Sequence, residues 1–246
     1  MPDASPSAAG RRVVILQSNY LPWRGYFDLI HDADLFVFHD DLQYTKNDWR
    51  NRNKIKTPRG PAWLTIPVGA DEHRRIDEVV LPADRGWAAK HWRLIQEHYR
   101  AAPHFLRYEN FFREVYEQRT WARLSELNQF LIVNIAQKFL GCTAEFTDST
   151  RFSLTSHKQE RVLDLLRATG ARTYISGPAA RDYLDPAQFR AAGIELVWKD
   201  YSGYPDYPQF HPPFAGAVSI VDLLFHLGPA APDYIWGWRR AAPTPP

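Results

Sequence analysis

Residues 13–41, VVILQSNYLPWRGYFDLIHDADLFVFHDD, decide the fold. Residues 13–16 form a continuous, mostly β-branched apolar run, which is typical of a strand covered on both faces in a parallel sheet. After a polar turn that includes Gly25, apolar residues recur at helical spacing over residues 26–33. Residues 35–38 then form a second apolar run. Strand, helix and strand in this order predict a βαβ unit.

The rest of the chain continues this alternation. A Pro-Arg-Gly turn at residues 58–60 separates two strand-like runs and predicts a β-hairpin. Helices are predicted at residues 87–99, 105–116, 124–140 and 219–227. A further helix is predicted to start at a capping box at residues 156–159 and to end at Gly170, and a short one to run through Phe189. Short strands are predicted at residues 144–146, 173–176 and 194–198. The sequence therefore predicts an α/β fold: a Rossmann-like, mainly parallel sheet flanked by helices, with an inserted β-hairpin and a helical insertion.

The 246 residues are expected to comprise one α/β domain at residues 13–240, after a disordered leader at residues 1–12 and before a flexible Pro-rich tail at residues 241–246. The chain is 45% apolar, so it can bury a sizeable core, yet it has no run of about 20 apolar residues and no signal sequence. We therefore expect a cytoplasmic protein with no membrane partner.

Charge and cysteine content narrow the function classes. A net charge of +2 argues against a general nucleic-acid coat. The single cysteine, Cys142, excludes an intramolecular disulfide and a cysteine-based zinc site. We expect neither zinc nor haem.

The first candidate site is the loop after the first predicted strand, because ligands of open parallel sheets bind beyond the carboxyl ends of the strands. A helix that begins near Gly25 would offer free N–H groups to an anion. The side chains that could join it there are Gln17, Asn19, Tyr20, Trp23 and the cationic Arg24. The alternative is that Trp23 packs the turn and Gly25 only allows a close approach.

The second candidate is the pair Asp40 and Asp41, which follows His39 at the end of the next strand. One of these carboxylates could bind Mg²⁺, accept a proton from a hydroxyl or act as a general base. The alternative is a helix cap or a turn with a solvated acid.

The third candidate is a basic and aromatic stretch at residues 43–54. Its predicted ligand-binding residues are Gln43, Lys46, Trp49, Arg50, Asn51, Arg52 and Lys54. Arginine offers planar, bidentate contacts to phosphate and tryptophan offers a stacking face, which favours a phosphate-bearing small molecule. Single-stranded nucleic acid also fits locally, but the chain supplies no further basic stripe. The alternative is an exposed, charged loop.

The fourth candidate follows the strand at residues 173–176. Ser176 and Gly177 lead through a small-residue turn to Arg181 and Asp182, which could form a second anion-binding corner. The alternative is a Gly-Pro turn with a surface ion pair.

Five strings of residues resemble the WbqC-like protein family across roughly residues 13–228. They are ILQSNYLPWRGYFDLI at 15–30, FHDDLQY at 38–44, DWRNRNKI at 48–55, ISGPAARDYL at 175–184 and SIVDLLF at 219–225. Ser18 stands where that family usually has proline. The resemblance implies association with O-antigen and other cell-surface polysaccharide gene sets or with natural-product biosynthesis, and modification of an amino sugar or sugar nucleotide.

A shorter string, residues 22–30, is similar to the Gly-His box of HIGH-motif nucleotidyltransferases and pantothenate synthetases. Tyr26 stands at the position of the box's histidine, which makes it a candidate catalytic residue beside Asp40 and Asp41. Residues 175–181 correspond to the second phosphate loop of those folds. This similarity implies ATP as a ligand, with Mg²⁺, and adenylation of an acid.

These observations favour an ATP-dependent acyl- or aminoacyl-activating enzyme that forms an amide on an amino sugar or a related small-molecule amine. Gly25, Arg50, Arg52 and Arg181 would hold phosphates, and Asp41 would position Mg²⁺ or the amine. One alternative is a transferase that uses a preformed activated donor or nucleotide sugar without ATP. Another is a non-catalytic ligand-binding protein of such a pathway.

Overall fold

A computed structural model describes residues 10–241. Most of the predicted leader and residues 242–246 of the predicted tail lie outside the described residues. The first strand begins at Arg11, two residues earlier than the apolar run predicts. Arg12 extends it because its backbone N–H and its guanidinium both donate to the Asp34 carboxylate, at 2.8 Å each.

Seven strands and eight α-helices make up the described chain. The strands are β1 (Arg11–Leu16), β2 (Leu35–Phe38), β3 (Arg52–Thr57), β4 (Gly60–Thr65), β5 (Glu145–Asp148), β6 (Ala171–Ser176) and β7 (Glu195–Trp198). The helices are α1 (Arg24–Asp32), α2 (Gly86–Tyr99), α3 (Phe105–Arg113), α4 (Leu124–Asn134), α5 (Lys158–Ala168), α6 (Pro186–Ala191), α7 (Ile220–Leu227) and α8 (Trp238–Ala241). Short 3₁₀ helices lie at Ile76–Glu78, Ser149–Arg151, Pro178–Asp182 and Gly228–Tyr234.

Five of the strands form one parallel sheet in the order β5-β2-β1-β6-β7. This confirms the Rossmann-like fold. From β1 the chain moves to β2 and β5 on one side, and then returns to β6 and β7 on the other. The strand order therefore reverses between β1 and β6, and the carboxyl ends at this switch point are where sheets of this kind bind ligands.

Alternate side chains of the sheet enter two apolar cores, because successive residues of a strand point to opposite faces. Val14 and Phe36 pack in the larger core with α1, α2, α3, α4 and α7. Val13 and Ile15 pack in the smaller core with α5 and α6. The sheet is thus covered on both faces, as its continuous apolar strands predict.

Strands β3 and β4 form the predicted hairpin, and it is antiparallel. Gly60 pairs with Thr57 across the turn and has a φ of +96°, a conformation that disfavours any residue with a Cβ.

Three predicted helix boundaries need correction. The helices predicted at residues 105–116 and 124–140 end as α-helices at Arg113 and Asn134 and continue as single π-helical turns at Glu114–Gln118 and Ile135–Phe139. The capping box at residues 156–159 is wrong, because Ser156 Oγ donates to the Asp164 carboxylate at 2.6 Å and α5 begins only at Lys158.

Candidate functional site

A cavity of about 580 Å³ lies at the carboxyl ends of β1 and β6, where the strand order reverses. Apolar side chains of β1, β6 and α5 form much of its wall. Its polar and charged lining residues are Gln17, His39, Lys158, Gln159, Arg161, Ser176 and Tyr183, and the backbone of Gly177 completes it. Two predicted corners, the one after β1 and the one after β6, therefore meet in a single cleft.

Arg161 supplies a cation to the cavity wall from the first turns of α5. Its guanidinium forms an ion pair with Asp41 and donates from Nε to His39 Nε2 at 3.3 Å. Ser149 Oγ donates to the other Asp41 oxygen at 2.6 Å. Asp41 therefore orients Arg161 through a charge-assisted contact, which is among the stronger hydrogen bonds in proteins.

His39 is neutral at pH 7. Burial disfavours its charged form and lowers its pKa to about 4, although the nearby Asp41 carboxylate acts in the opposite direction. A neutral imidazole can accept the Nε–H of Arg161, whereas an imidazolium cannot. His39 thus helps to position Arg161.

Asp40 is fully buried and ties three strand ends together. It accepts the Ser18 backbone N–H at 2.7 Å and Nε2 of Gln129 at 2.8 Å. Gln129 Nε2 also donates to Asp148, at the end of β5, at 2.9 Å. Burial raises the pKa of the Asp40 carboxyl, and these hydrogen bonds oppose that rise.

The described residues do not fit a Mg²⁺ ion held by the protein itself. The carboxylate oxygens of Asp40 and Asp41 already accept hydrogen bonds from protein donors. Over residues 10–241 no three His, Cys, Asp or Glu residues are grouped closely enough to hold a metal ion.

Gln159 leaves a donor unused at the cavity wall. Its Oε1 accepts the Asp185 backbone N–H at 2.6 Å, while its Nε2 is buried and has no hydrogen-bond partner in the described part of the chain. An unpaired buried donor costs free energy, and a ligand acceptor in the cavity would remove that cost.

Arg50 connects the cavity to the loop after β1. Its Nη2 donates to Gln17 Oε1 at 3.3 Å and its Nη1 to Asn19 Oδ1. Gln17 lines the cavity, and Asn19 lines a second, smaller pocket that also involves Trp23 and Trp49. Arg50 therefore lies between the two spaces.

The first turn of α1 is closed rather than open. A Cβ placed on Gly25 would lie 2.3 Å from the Trp23 indole, so the glycine is required by the ring that covers it. Tyr26 is buried and its hydroxyl donates to the Gln17 carbonyl at 3.0 Å, which uses that proton within the loop. Local packing thus accounts for Gly25, Trp23 and Tyr26.

The remaining predicted site residues lie away from the cavity. Tyr20 and Asn51 are buried, with Tyr20 bonded to His91 at 2.9 Å and Asn51 to the Ile66 carbonyl at 2.8 Å. Gln43 contacts the Glu72 carbonyl and Lys46 the Glu72 carboxylate. Arg52 and Lys54 lie over the Trp63 ring, and Arg181 lies over the Trp198 ring. Asp182 is exposed.

Comparison with known proteins agrees with the five quoted strings. The model of the WbqC-like protein family matches residues 17–234. The chain belongs to this family. It is also 43% identical, over 227 residues, to the "Uncharacterized protein Rv1507c" of Mycobacterium tuberculosis (strain ATCC 25618 / H37Rv), covering 92% of this chain and 97% of that protein. No solved structure matches the chain.

The sequence reasoning missed the two cations of this WbqC-like cavity, Lys158 and Arg161. They are three residues apart and therefore share a face of α5. To find these two cations from the sequence, one would have had to predict that α5 begins at the carboxyl edge of the sheet.

Over the described residues, no helix combines the length and apolar character needed to cross a membrane.

Proposed function

We propose that the chain is an enzyme that acts on small molecules. It would bind a phosphate-bearing donor, with ATP as the leading candidate, in the cavity between β1 and β6 and use it to form an amide. The observation that carries this proposal is the pair of cations, Lys158 and Arg161, on the wall of a cavity at the switch point of a Rossmann-like sheet. Membership in the WbqC-like family is compatible with it.

The chain's own residues would act mainly by positioning and by charge. Lys158 and Arg161, at the N-terminal end of the eleven-residue helix α5, would hold phosphate oxygens where the helix dipole is positive. Gln159 Nε2 would donate a further hydrogen bond. Asp41 and neutral His39 would keep the Arg161 guanidinium in place.

The chemistry balances with three named reactants. A carboxylate oxygen of the acid attacks the α-phosphorus of ATP, and pyrophosphate leaves. The amine nitrogen of the acceptor then attacks the acyl carbon, AMP departs with the former carboxylate oxygen, and the nitrogen releases a proton. Orientation of the reactants and stabilisation of phosphate charge are the contributions expected of the protein.

Calorimetric titration with MgATP tests the proposal. We expect binding in the micromolar range, about −8 kcal/mol. Arg161→Ala should weaken it by about tenfold or more, since contacts to charged groups contribute about 1.5–3 kcal/mol. Arg167→Ala is the matched control, because Arg167 lies on the same helix but pairs only with Glu160 and Asp164 in the described structure.

Arg161→Ala leaves Asp41 without its counter-charge and could unfold the protein, so Lys158→Ala provides a second variant. Pyrophosphate release with a panel of amino acids and amines then tests turnover. Binding without turnover under any of these conditions would favour a ligand-binding role. Absence of ATP binding by the folded wild-type protein would contradict the proposal.

One observation favours a second candidate, a transferase that uses a preformed donor without ATP. The Trp23 ring covers the first turn of α1, which is the turn that the similarity to nucleotidyltransferases would assign to the nucleotide phosphates. This candidate predicts that UDP-N-acetylglucosamine binds the cavity, that Arg161→Ala weakens that binding, and that MgATP does not compete.

A further inference from the structure

A second pocket, of about 210 Å³, opens beside the loop between β1 and α1. It is lined by Asn19, Pro22, Trp23, Trp49, Asn53 and Ala217. We infer that it is a separate subsite for a small molecule that stacks one ring against Trp49 and carries an anionic group. This inference extends the proposed function. It rests on that function only where the molecule bound in the second pocket is taken to be the acceptor of the reaction.

The walls of this pocket are held in place by backbone contacts. Asn53 Nδ2 donates to the Leu21 carbonyl at 2.8 Å and to the Tyr20 carbonyl at 3.3 Å. The Tyr20 backbone N–H donates to the Trp49 carbonyl at 3.0 Å. The β1–α1 loop, the strand β3 and the segment before it thus form one frame, so a ligand need not order them on binding.

Aromatic faces dominate the pocket. Trp23 is fixed by edge-on contacts with Tyr201 and Tyr204, at 5.2 Å and 5.8 Å between ring centroids. Trp49 is 43% exposed, although large aromatic side chains are usually well buried. An indole held at the mouth of a small pocket presents a flat apolar surface, which suits a ring laid parallel to it.

Charge selects the substituents of that ring. Arg50 lies at one side of the pocket and is only 12% exposed, while Arg52 and Lys54 lie over the Trp63 ring next to Trp49. Asp48 is the nearby acid and pairs with Arg50 at 3.5 Å. None of these three cations lines the pocket, so they act through the local field, and an excess of positive charge around the pocket favours a neutral or anionic ligand over a cationic one.

Size favours an occupant that stacks only one ring on Trp49. Pockets that enclose a drug-sized ligand span about 300–1,000 Å³, and this pocket is smaller. A phosphorylated pyranose and a nucleoside monophosphate share the required chemistry, namely one stacking ring and one phosphate. Arg50 contacts the residues that line each space, so a group on this ring would face the donor cavity across the Arg50 guanidinium.

Calorimetric titrations with glucosamine 6-phosphate and with uridine 5′-monophosphate distinguish the two sources. We expect one of them to bind the wild-type protein, and Trp49→Ala to weaken that binding by about tenfold, since stacking on an aromatic side chain contributes about 1–3 kcal/mol. Trp63→Ala is the matched control: Trp63 is 42% exposed and contacts Trp49, but it does not line the pocket. It should change the affinity by less than about threefold.

Arg161→Ala separates this inference from the proposed function. It should leave probe binding unchanged, because Arg161 lines only the larger cavity. Loss of ATP binding with retained probe binding would remove the donor assignment and keep the subsite. The subsite is refuted if neither probe binds the folded protein at millimolar concentration, if Trp49→Ala and Trp63→Ala act equally, or if a thymidine decanucleotide binds more tightly than both probes.

Discussion

The helices α1 and α5 both begin at the carboxyl edge of the same sheet, but of these two only α5 has first-turn residues on the wall of the larger cavity. In α1 the Trp23 ring lies over Gly25, and Arg24 is turned inward to donate to the Pro205 carbonyl at 2.8 Å. In α5, Lys158 and Arg161 line the cavity. Whether a helix N-terminus can receive an anion thus depends on what packs over its first turn. For α1 the cover is the adjacent Trp23 ring, which is held by Tyr201 and Tyr204 much later in the chain.

This contrast assigns α1 to the stability of the fold and α5 to ligand binding. Substitutions in α1 should therefore change the free energy of unfolding and leave ligand affinity intact. Substitutions of the cations at the start of α5 should instead weaken ligand binding, with effects on stability that depend on the ion pair or backbone conformation of each residue.

The largest effect is expected for Asp28→Asn in α1. Asp28 is fully buried and binds Lys199 Nζ at 2.8 Å, the Arg239 guanidinium at 2.6 Å and 2.9 Å, and the Tyr204 hydroxyl. Removing one partner of a buried ion pair leaves uncompensated charge and costs about 3–5 kcal/mol. Thermal and urea unfolding measure this loss, with MgATP affinity of the remaining folded protein unchanged.

Asp34→Asn is the control for that substitution. Asp34 forms a surface ion pair with Arg12; the Asp34 side chain is 42% exposed and that of Arg12 is 50% exposed. Such pairs contribute about 0–1 kcal/mol to the free energy of unfolding. Equal losses for Asp28→Asn and Asp34→Asn would contradict the role given to burial.

Gly25→Ala should cost less, about 1–3 kcal/mol, because the added methyl group forces the Trp23 indole to move. Gly86→Ala is the matched substitution, since Gly86 also begins a helix but its Cβ would meet only the Asp84 carboxylate, at 3.3 Å. Denaturant unfolding compares the two. A pronounced loss of ATP affinity in Gly25→Ala, without loss of stability, would instead place the phosphates at α1.

Lys158→Gly should stabilise the fold and weaken ATP binding. Lys158 has a φ of +53°, in the left-handed region that glycine adopts readily. Glycine should raise the free energy of unfolding by about 1 kcal/mol and weaken ATP binding by removing a cation. Lys158→Ala keeps the backbone strain and removes the same charge, so it should weaken ATP binding without the gain in stability.

The last prediction concerns the pH dependence set by two histidines. Burial lowers the pKa of both His39 and His91 to about 4, so the unfolded chain binds more protons below pH 6.5. The free energy of unfolding should therefore fall as the pH decreases from about 6.5 to about 4. An anion in the cavity should raise the pKa of His39, which lines it, and leave that of His91 unchanged. NMR titration of the imidazole signals with and without ATP checks this, and an equal response of the two would argue against binding beside His39.

Much of the fold could be predicted because it depends on local patterns. The apolar runs that became β1 and β2, the turn that became the β3–β4 hairpin and the helical periodicity of α2 are all contained within short windows. Gln17 and Ser176 were each predicted to follow a strand, but only the structure shows that they line the same cavity.

The site was less predictable because side-chain direction depends on residues far away in sequence. Arg52, Lys54 and Arg181 looked suited to phosphate, yet in the fold they lie over tryptophan rings at the surface. Arg161 attracted no notice in the sequence, and its place is set by Asp41, 120 positions earlier. A pattern of residue types indicates which ligands the side chains could bind, whereas tertiary packing determines whether those side chains reach a cavity.

The buried Asp28 also bears on the order of synthesis. Its partners Lys199 and Arg239 lie 171 and 211 positions later in the chain. A ribosome makes α1 early, but domains generally fold as units, so α1 gains the cations that neutralise its buried carboxylate only after Lys199 and Arg239 have been made. The charge balance of an early helix in this chain therefore depends on residues that are synthesised late.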